Sequence, residues 1–256
     1  MAGNHFDVLI IGAGLSGVGA ACHLSRDCPD RGVALIERRQ RMGGTWDLFR
    51  YPGIRSDSDM YTLGYNFRPW TDPKVLADGP SIRQYIVDTA RQYRIEDKIH
   101  YGLRMIGADF STQTSQWTVE VEHEETGERD TYTCQFLLCC TGYYNYDEGY
   151  KPTFPGEDDF KGQVIHPQHW PEDLDYKGKK VVVIGSGATA VTLVPAMAGE
   201  AGHVTMLQRS PTYIATVPER DEISVGLRRF LPEMVVYRMA RARNISLQRF
   251  IFKLSK

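Results

Sequence analysis

Two short glycine-rich turns carry the clearest chemistry in this sequence. Gly12, Gly14 and Gly17 follow the apolar run Asp7–Ile11 with G-x-G-x-x-G spacing. The first glycine of such a turn makes it tight, the second lets a pyrophosphate reach the backbone, and the third lets helix and strand pack closely. The phosphates then meet N–H groups at the positive end of the next helix, and Ser16 adds a hydroxyl donor. Glu37 closes the following apolar run, where a carboxylate accepts hydrogen bonds from ribose hydroxyls. Gly185, Ser186, Gly187, Ala188, Thr189 and Ala190 form a second turn, of the G-x-G-x-x-A type, after Lys180–Ile184. The run after it ends in Gln208, Arg209 and Ser210, with no acid. An arginine and a hydroxyl at that place favour a ribose 2′-phosphate.

Between the turns lie Gly43, Gly44, Thr45 and Trp46, then Arg50-Tyr-Pro-Gly53, then Arg55 and Asp57. Glycines permit the backbone to approach a flat ring. Arg55 and Asp57 either pair with one another or contact the rings of bound cofactors, and a carboxylate beside a reacting ring tunes its protonation. A salt-bridged, aromatic-packed loop fits the same spacing. His166 and His169 look like half of a metal site, but such a site needs a third and usually a fourth ligand. No cysteine or acid stands at suitable spacing, so no metal is expected. A histidine and Trp170 in a stretch between two domains more plausibly order a hinge that moves during turnover.

These groups need a scaffold, and the pattern supplies one. Asp7–Ile11, a helix to about Arg26, and Val33–Ile36 ending at Glu37 make a βαβ unit with strands buried on both faces. Residues 38–79 read as a long functional loop, and Ser81 as the cap of a helix to about Tyr93. Alternation at 103–110, 117–121 and 132–134 predicts an antiparallel β excursion turning near Thr114 and Gly127. Phe136–Cys140 reads as one more buried strand. Lys180–Ile184, a helix from Ala188 and His203–Leu207 repeat the βαβ pattern. The fold class is α/β, with two dinucleotide-binding Rossmann-like domains. Residues 1–145 form the first, 146–178 a linker, and 179–256 a partial second domain that runs into a helical, basic segment. Two such units about 140 residues apart are an arrangement of flavoenzymes, with FAD first and NADPH second.

The bulk composition agrees. Hydrophobic residues make 42 % and charged residues 24 % of the 256, as in a soluble globular protein. A net charge of −2 gives no reason to expect nucleic acid. The five cysteines include no C-x-x-C pair and suit reduced, mostly buried thiols in the cytoplasm.

Phe160-x-Gly162-x-x-x-His166-x-x-x-Trp170-Pro171, flanked by the two glycine turns, resembles the fingerprint of the Baeyer–Villiger monooxygenases, class B flavin monooxygenases. The runs Gly43–Trp70 and His166–Asp175 resemble the ethionamide-activating branch of that family. The resemblance implies NADPH, O2 and a C4a-peroxyflavin that turns ketones into esters or oxygenates sulfur in thioamides and sulfides. It further implies that Gly12, Gly14, Ser16, Gly17, Glu37, Thr45, Trp46 and Asp57 hold FAD, with Met105 touching the adenine through its backbone. Arg55, Asp57, residues 185–190, Arg209 and Ser210 would serve NADPH. Arg55, Asp57 and His166 are the catalytic candidates, His166 through the hinge. Family members are longer than this chain. Their peroxyflavin-stabilising arginine has no match before Lys256, and the second domain is expected to lack its closing strands. The chain reads as a fragment, a truncated product or one part of a split enzyme, and a non-catalytic remnant that binds FAD at most is the competing outcome.

Two other enzyme classes fit less well. A disulfide reductase needs a redox pair, whereas Cys139 and Cys140 are adjacent within a strand. Tyr176 and Lys180 have the Y-x-x-x-K spacing of a short-chain dehydrogenase but straddle a turn at Gly178. From Gly226 on, eight basic residues face a single acid, Glu233. Such a tail is the solvated face of a helical subdomain, or else a basic helix lying weakly on an anionic membrane surface.

Overall fold

The computed structural model describes residues 4–210, 214 and 216–254. Two compact units divide the chain: Met1–Phe49 with Pro80–His169, and Arg50–Gly79 with Trp170–Lys256. In chain order the strands are β1 (His5–Ile11), β2 (Val33–Glu37), β3 (Ile99–Tyr101), β4 (Leu103–Ser111), β5 (Gln116–His123), β6 (Arg129–Cys139), β7 (Lys180–Ile184) and β8 (His203–Leu207). The helices are α1 (Leu15–Asp27), α2 (Thr45–Leu48), α3 (Met60–Leu63), α4 (Gly79–Gln92), α5 (Ala188–Met197), α6 (Glu222–Leu227) and α7 (Glu233–Leu254).

The first unit holds a six-stranded sheet in the order β3-β2-β1-β6-β5-β4. β1 lies parallel between β2 and β6. β4, β5 and β6 run antiparallel, with a register shift between Met105 and Gly107. Leu9 and Ile11 of β1, and Ala34 and Ile36 of β2, pack with Val119, Val121, Tyr132 and Cys134 of the excursion. Buried Val18, Ala21 and Cys22 line α1.

Several sequence expectations need correction. β6 is one eleven-residue strand that pairs with both β5 and β1, so the excursion and the expected Phe136–Cys140 strand are continuous. That strand is not buried on both faces, because Phe136 is 69 % and Leu138 41 % exposed. The 38–79 stretch contains the one-turn helices α2 and α3. Ser81 sits inside α4, which begins at Gly79. Of the five free cysteines, Cys22 and Cys134 alone are fully buried.

In the second unit β7 and β8 pair in parallel from Lys180↔His203 to Ile184↔Leu207. Among the described residues that sheet has no third strand. Val182, Ile184 and Leu207 are therefore 55–60 % exposed, where a doubly covered sheet would bury them. The segment 50–79, read as part of the first domain, packs instead with α6 and α7. The Arg241 guanidinium donates to the Tyr61, Thr62 and Gly64 carbonyls at 2.6, 3.1 and 2.9 Å. Tyr237 donates its hydroxyl to Tyr65 O at 2.9 Å, and Arg228 donates to Trp70 O and Thr71 O at 2.9 Å each. These bonds satisfy the last carbonyls of α3 and carbonyls of the loop after it. From Ser246 to Leu254 every residue of α7 is exposed. None of the helices is long and apolar enough to cross a membrane, among the described residues.

Candidate cofactor-binding site

In the first unit the glycine turn sits between the C-terminal ends of β1, β2 and β6. Gly12 donates its N–H to Ile36 O at 2.7 Å and adopts φ +102°. A Cβ there would lie 2.6 Å from the Cys140 carbonyl oxygen, so the neighbouring strand leaves room for glycine alone. Gly14 caps α1 in an extended conformation, φ −80° and ψ −169°, with no side chain on the cap. The cap therefore offers no side-chain acceptor at the positive end of α1.

Gly43 and Gly44 close over this turn. Gly43 donates to Ala13 O at 3.0 Å, and a Cβ on Gly44 would lie 3.0 Å from Gly14 Cα. Two backbones meet here with no side chain between them. Thr45 and Trp46, half-buried, open α2 directly behind this contact.

Glu37 does more than the sequence reading assigned to it. Its carboxylate is buried, one oxygen accepting from Ala13 N at 2.8 Å and the other from Arg39 N at 2.9 Å. It fixes the glycine turn to the end of β2, and each oxygen keeps a lone pair for a ribose hydroxyl. Burial pushes this carboxyl above its ordinary value, against the pull of the Arg39 and Ala13 N–H groups. Burial, followed by the Glu37 charge, also drives the Tyr101 hydroxyl up to about 12.

Beside Glu37 opens a cleft of about 500 Å³ lined by Arg38, Arg39, Gln40, Tyr146 and Gln168 among others. Arg39 stands 6.0 Å from the Tyr146 ring centroid. Met105 lies on β4 at the bulge, partly buried against the core below Val121. The bulge frees the backbone beside it from the regular ladder.

His166 lies in this unit. Its imidazole fills the space a side chain on Gly149 would need, where a Cβ would lie 2.1 Å from the ring. Gln168 N donates to His166 Nδ1 at 3.2 Å, and the Gln168 amide donates to Asn145 O at 2.6 Å. Burial, then the neighbouring His169, hold the imidazole below its ordinary value. The unit boundary falls between His169 and Trp170, inside the histidine–tryptophan motif.

The second turn repeats the first in backbone form. Gly185 has φ +120° and donates to Leu207 O at 2.8 Å. Gly187 caps α5 at φ −76° and ψ −175°, again with no side chain on the cap. Ser186, Ala188, Thr189 and Ala190 complete the turn and start of α5, and Thr192 turns its hydroxyl onto the Ala188 and Thr189 carbonyls at 3.1 Å each. Here a Cβ on Gly185 meets nothing within 4 Å, because among the described residues no strand lies where β6 stands in the first unit. Arg209 and Ser210 come one residue after the end of β8, past Gln208, and are exposed.

The Arg50–Gly53 turn rests on α5, since a Cβ at Gly53 would lie 2.5 Å from Thr192 O. Arg50 pairs with Glu172 at 2.6 Å. Arg55 does not pair with Asp57. Its ion pair is with Glu219 at 3.7 Å, its Nε is buried without a hydrogen-bond partner, and Asp57 is exposed.

Sequence reasoning missed Asp47, which is 3 % exposed and pairs with Arg39, Arg41 and Arg83 at 2.6, 3.5 and 2.8 Å. The crowd of arginines at 38, 39 and 41 before a lone Asp was the available signal, whereas Arg83 gave none.

Comparison with known proteins shows the family. The flavin-binding monooxygenase-like family matches residues 80–222, and an NAD(P)-binding Rossmann-like domain matches residues 10–75. The chain belongs to the flavin-binding monooxygenase-like family. It is 65 % identical over 254 residues to MymA of Mycobacterium tuberculosis, covering 98 % of this chain and 51 % of MymA. It is 57 % identical over 250 residues to the FAD-containing monooxygenase EthA of the same organism, covering 97 % and 51 %. The chain therefore spans about half the length of the curated relatives it matches. Among solved structures, a steroid monooxygenase bound to NADP aligns with TM-score 0.74 at 28 % identity, over 88 % of this chain and 42 % of that one. OTEMO in complex with FAD and NADP aligns with TM-score 0.72 at 29 % identity, over 88 % and 43 %.

Proposed function

We propose that this chain binds FAD on its first unit and NADPH on its second and serves a monooxygenase reaction. The observation that carries the reading is the repeated turn, glycine at φ +102° and +120° followed by an uncapped extended glycine at a helix start. Gly12, Gly14, Ser16 and Gly17 would hold the FAD pyrophosphate and Glu37 its ribose. Thr45 and Trp46 would stand beside the flavin half, with Met105 at the adenine. Residues 185–190 would hold the NADPH pyrophosphate, and Arg209 with Ser210 its 2′-phosphate. Arg55, with a donor left over, and exposed Asp57 would meet the nicotinamide, and His166 would order the hinge. When bound, these cofactors supply hydride transfer and reaction with O2. Arg55 orients an anionic or carbonyl group, while Glu37 holds the turn rigid.

The substrate class proposed is a ketone, oxidised to an ester, or the sulfur of a thioamide or sulfide. The test is NADPH-dependent O2 uptake by the FAD-loaded chain with each class. Uptake stimulated by substrate supports the reading, and flavin binding without stimulated uptake reduces it to cofactor binding. The exposed stretch Ser246–Leu254 of α7 supports a second, weaker contact. Leu247, Phe250, Ile251 and Leu254 form one exposed stripe beside Arg249 and Lys253, a pattern that suits an anionic lipid surface. Co-sedimentation with anionic but not zwitterionic liposomes, lost at high salt, tests it.

A further inference from the structure

Asp47 is an expensive residue to bury. A carboxylate out of water costs several kcal/mol even after relaxation, and a buried ion cluster is a poor source of stability. What such a cluster does well is hold a geometry. Arg39 reaches it from the end of β2, two residues past Glu37, and donates one nitrogen to both the Asp47 carboxylate at 2.6 Å and the Asp47 carbonyl at 3.2 Å. Arg83 reaches it from α4 at 2.8 Å, and Arg41 from the loop at 3.5 Å. The stems of Arg83 and Asp47 enclose Gly43, whose Cβ would lie 3.1 Å from each. Gly43 is the residue that bonds to Ala13, and Gly44 is the one that meets Gly14. Two separate segments, residues 39–41 after β2 and α4, are thus tied to one carboxylate directly behind the glycine cradle. Three guanidinium groups meet Asp47 here, and the Glu37 carboxylate adds a second negative charge beside Arg39.

We propose that Asp47 is a positioning residue for the cofactor diphosphate: it clamps Arg39 and Arg83 so that the Gly43–Gly44 turn closes on Gly14 in the binding conformation. This rests on reading that turn as the FAD cradle. Geometry and charge make opposite forecasts, which lets them be told apart. Asp47→Asn removes a negative charge and leaves the shape, so charge alone would tighten binding of the anionic cofactor. Positioning forecasts weaker binding, by about 10- to 100-fold if Asp47 resembles outer-shell partners of a metal ligand.

The test is titration of the full chain with FAD, followed by flavin fluorescence, with circular dichroism to confirm folding. NADP+ affinity is measured alongside as a site that should not move. Asp47→Asn should lose FAD affinity, Asp47→Glu should recover part of it, and NADP+ binding should stay unchanged. Arg83→Gln, which cuts one link from a partly exposed side chain, should show a smaller loss and keeps the test open if Asp47→Asn fails to fold. The Asp47→Asn loss should shrink in an Arg39→Gln, Arg83→Gln background, because the links it acts through are gone. FAD affinity equal or tighter in folded Asp47→Asn would overturn the inference alone. A parent chain that takes up no FAD would overturn the cradle reading, and the inference with it.

Discussion

Gly17→Ala sets two physical effects against each other. Alanine is the better helix former by about 1 kcal/mol, so helix propensity alone forecasts a gain at this position of α1. The packing forecasts a loss. A Cβ at Gly17 would lie 1.8 Å from the Gly12 carbonyl oxygen and 3.0 Å from its carbon. Ordinary contact begins at about 3.5 Å, so the helix start or the turn must move by about 1.7 Å. Neither is free to do so. Gly12 is bonded to Ile36 O, and Val18, Ala21 and Cys22 of α1 are wholly buried. Overpacking of this kind costs about 3 kcal/mol at the upper end, which leaves a net loss of about 2 kcal/mol after the helix gain. With an m-value of about 3 kcal/mol/M, the urea midpoint followed by circular dichroism should fall by about 0.7 M. FAD uptake should fall with it, since the same shift opens the cradle. Gly226→Ala in α6 is the control: a Cβ there meets nothing within 4 Å, and the midpoint should rise slightly. A Gly17→Ala chain as stable as the parent, or more so, would refute the packing argument.

Three further outcomes follow from other contacts. Burial raises the Glu37 carboxyl above its ordinary 4.5, so its contribution to stability is full below that pH and lost as pH climbs through the raised value. Glu37→Gln should flatten that limb in urea titrations at a series of pH values, while weakening FAD binding. Arg209→Ala should reduce the preference for NADPH over NADH by about 10- to 100-fold in Kd, the worth of a hydrogen bond to a charged group. NADH binding should be unaffected, and equal loss for both nucleotides would argue against a 2′-phosphate contact. Arg241→Met should destabilise the second unit by about 2 to 3 kcal/mol, because three carbonyls lose their charged donor. Proteolysis within residues 59–71 would report the loosened loop.

The sequence carried the βαβ units because glycine spacing, apolar runs and the strand-end acid are local signals. It carried the antiparallel excursion through alternation for the same reason. It did not carry burial. Phe136, Leu138, Val182 and Ile184 sit in runs that look like doubly covered strands, yet a face is buried only if something packs on it, and nothing local records that. The three-residue β3 was too short to show a period, and β6 looked like two strands because its partners change along its length. Asp47 was out of reach of local pattern because its closest partners sit apart in sequence, Arg39 at the end of β2 and Arg83 in α4. The partnership of Arg55 with Glu219, more than 160 residues away, was equally out of reach of spacing arguments.

The central claim, that this chain holds both dinucleotides, is tested most directly by the visible absorption spectrum of the purified chain with FAD, before and after NADPH is added in air. The expected result is a protein-bound flavin spectrum after gel filtration that bleaches with NADPH and returns as NADPH is consumed. A chain that emerges colourless after incubation with excess FAD would contradict it.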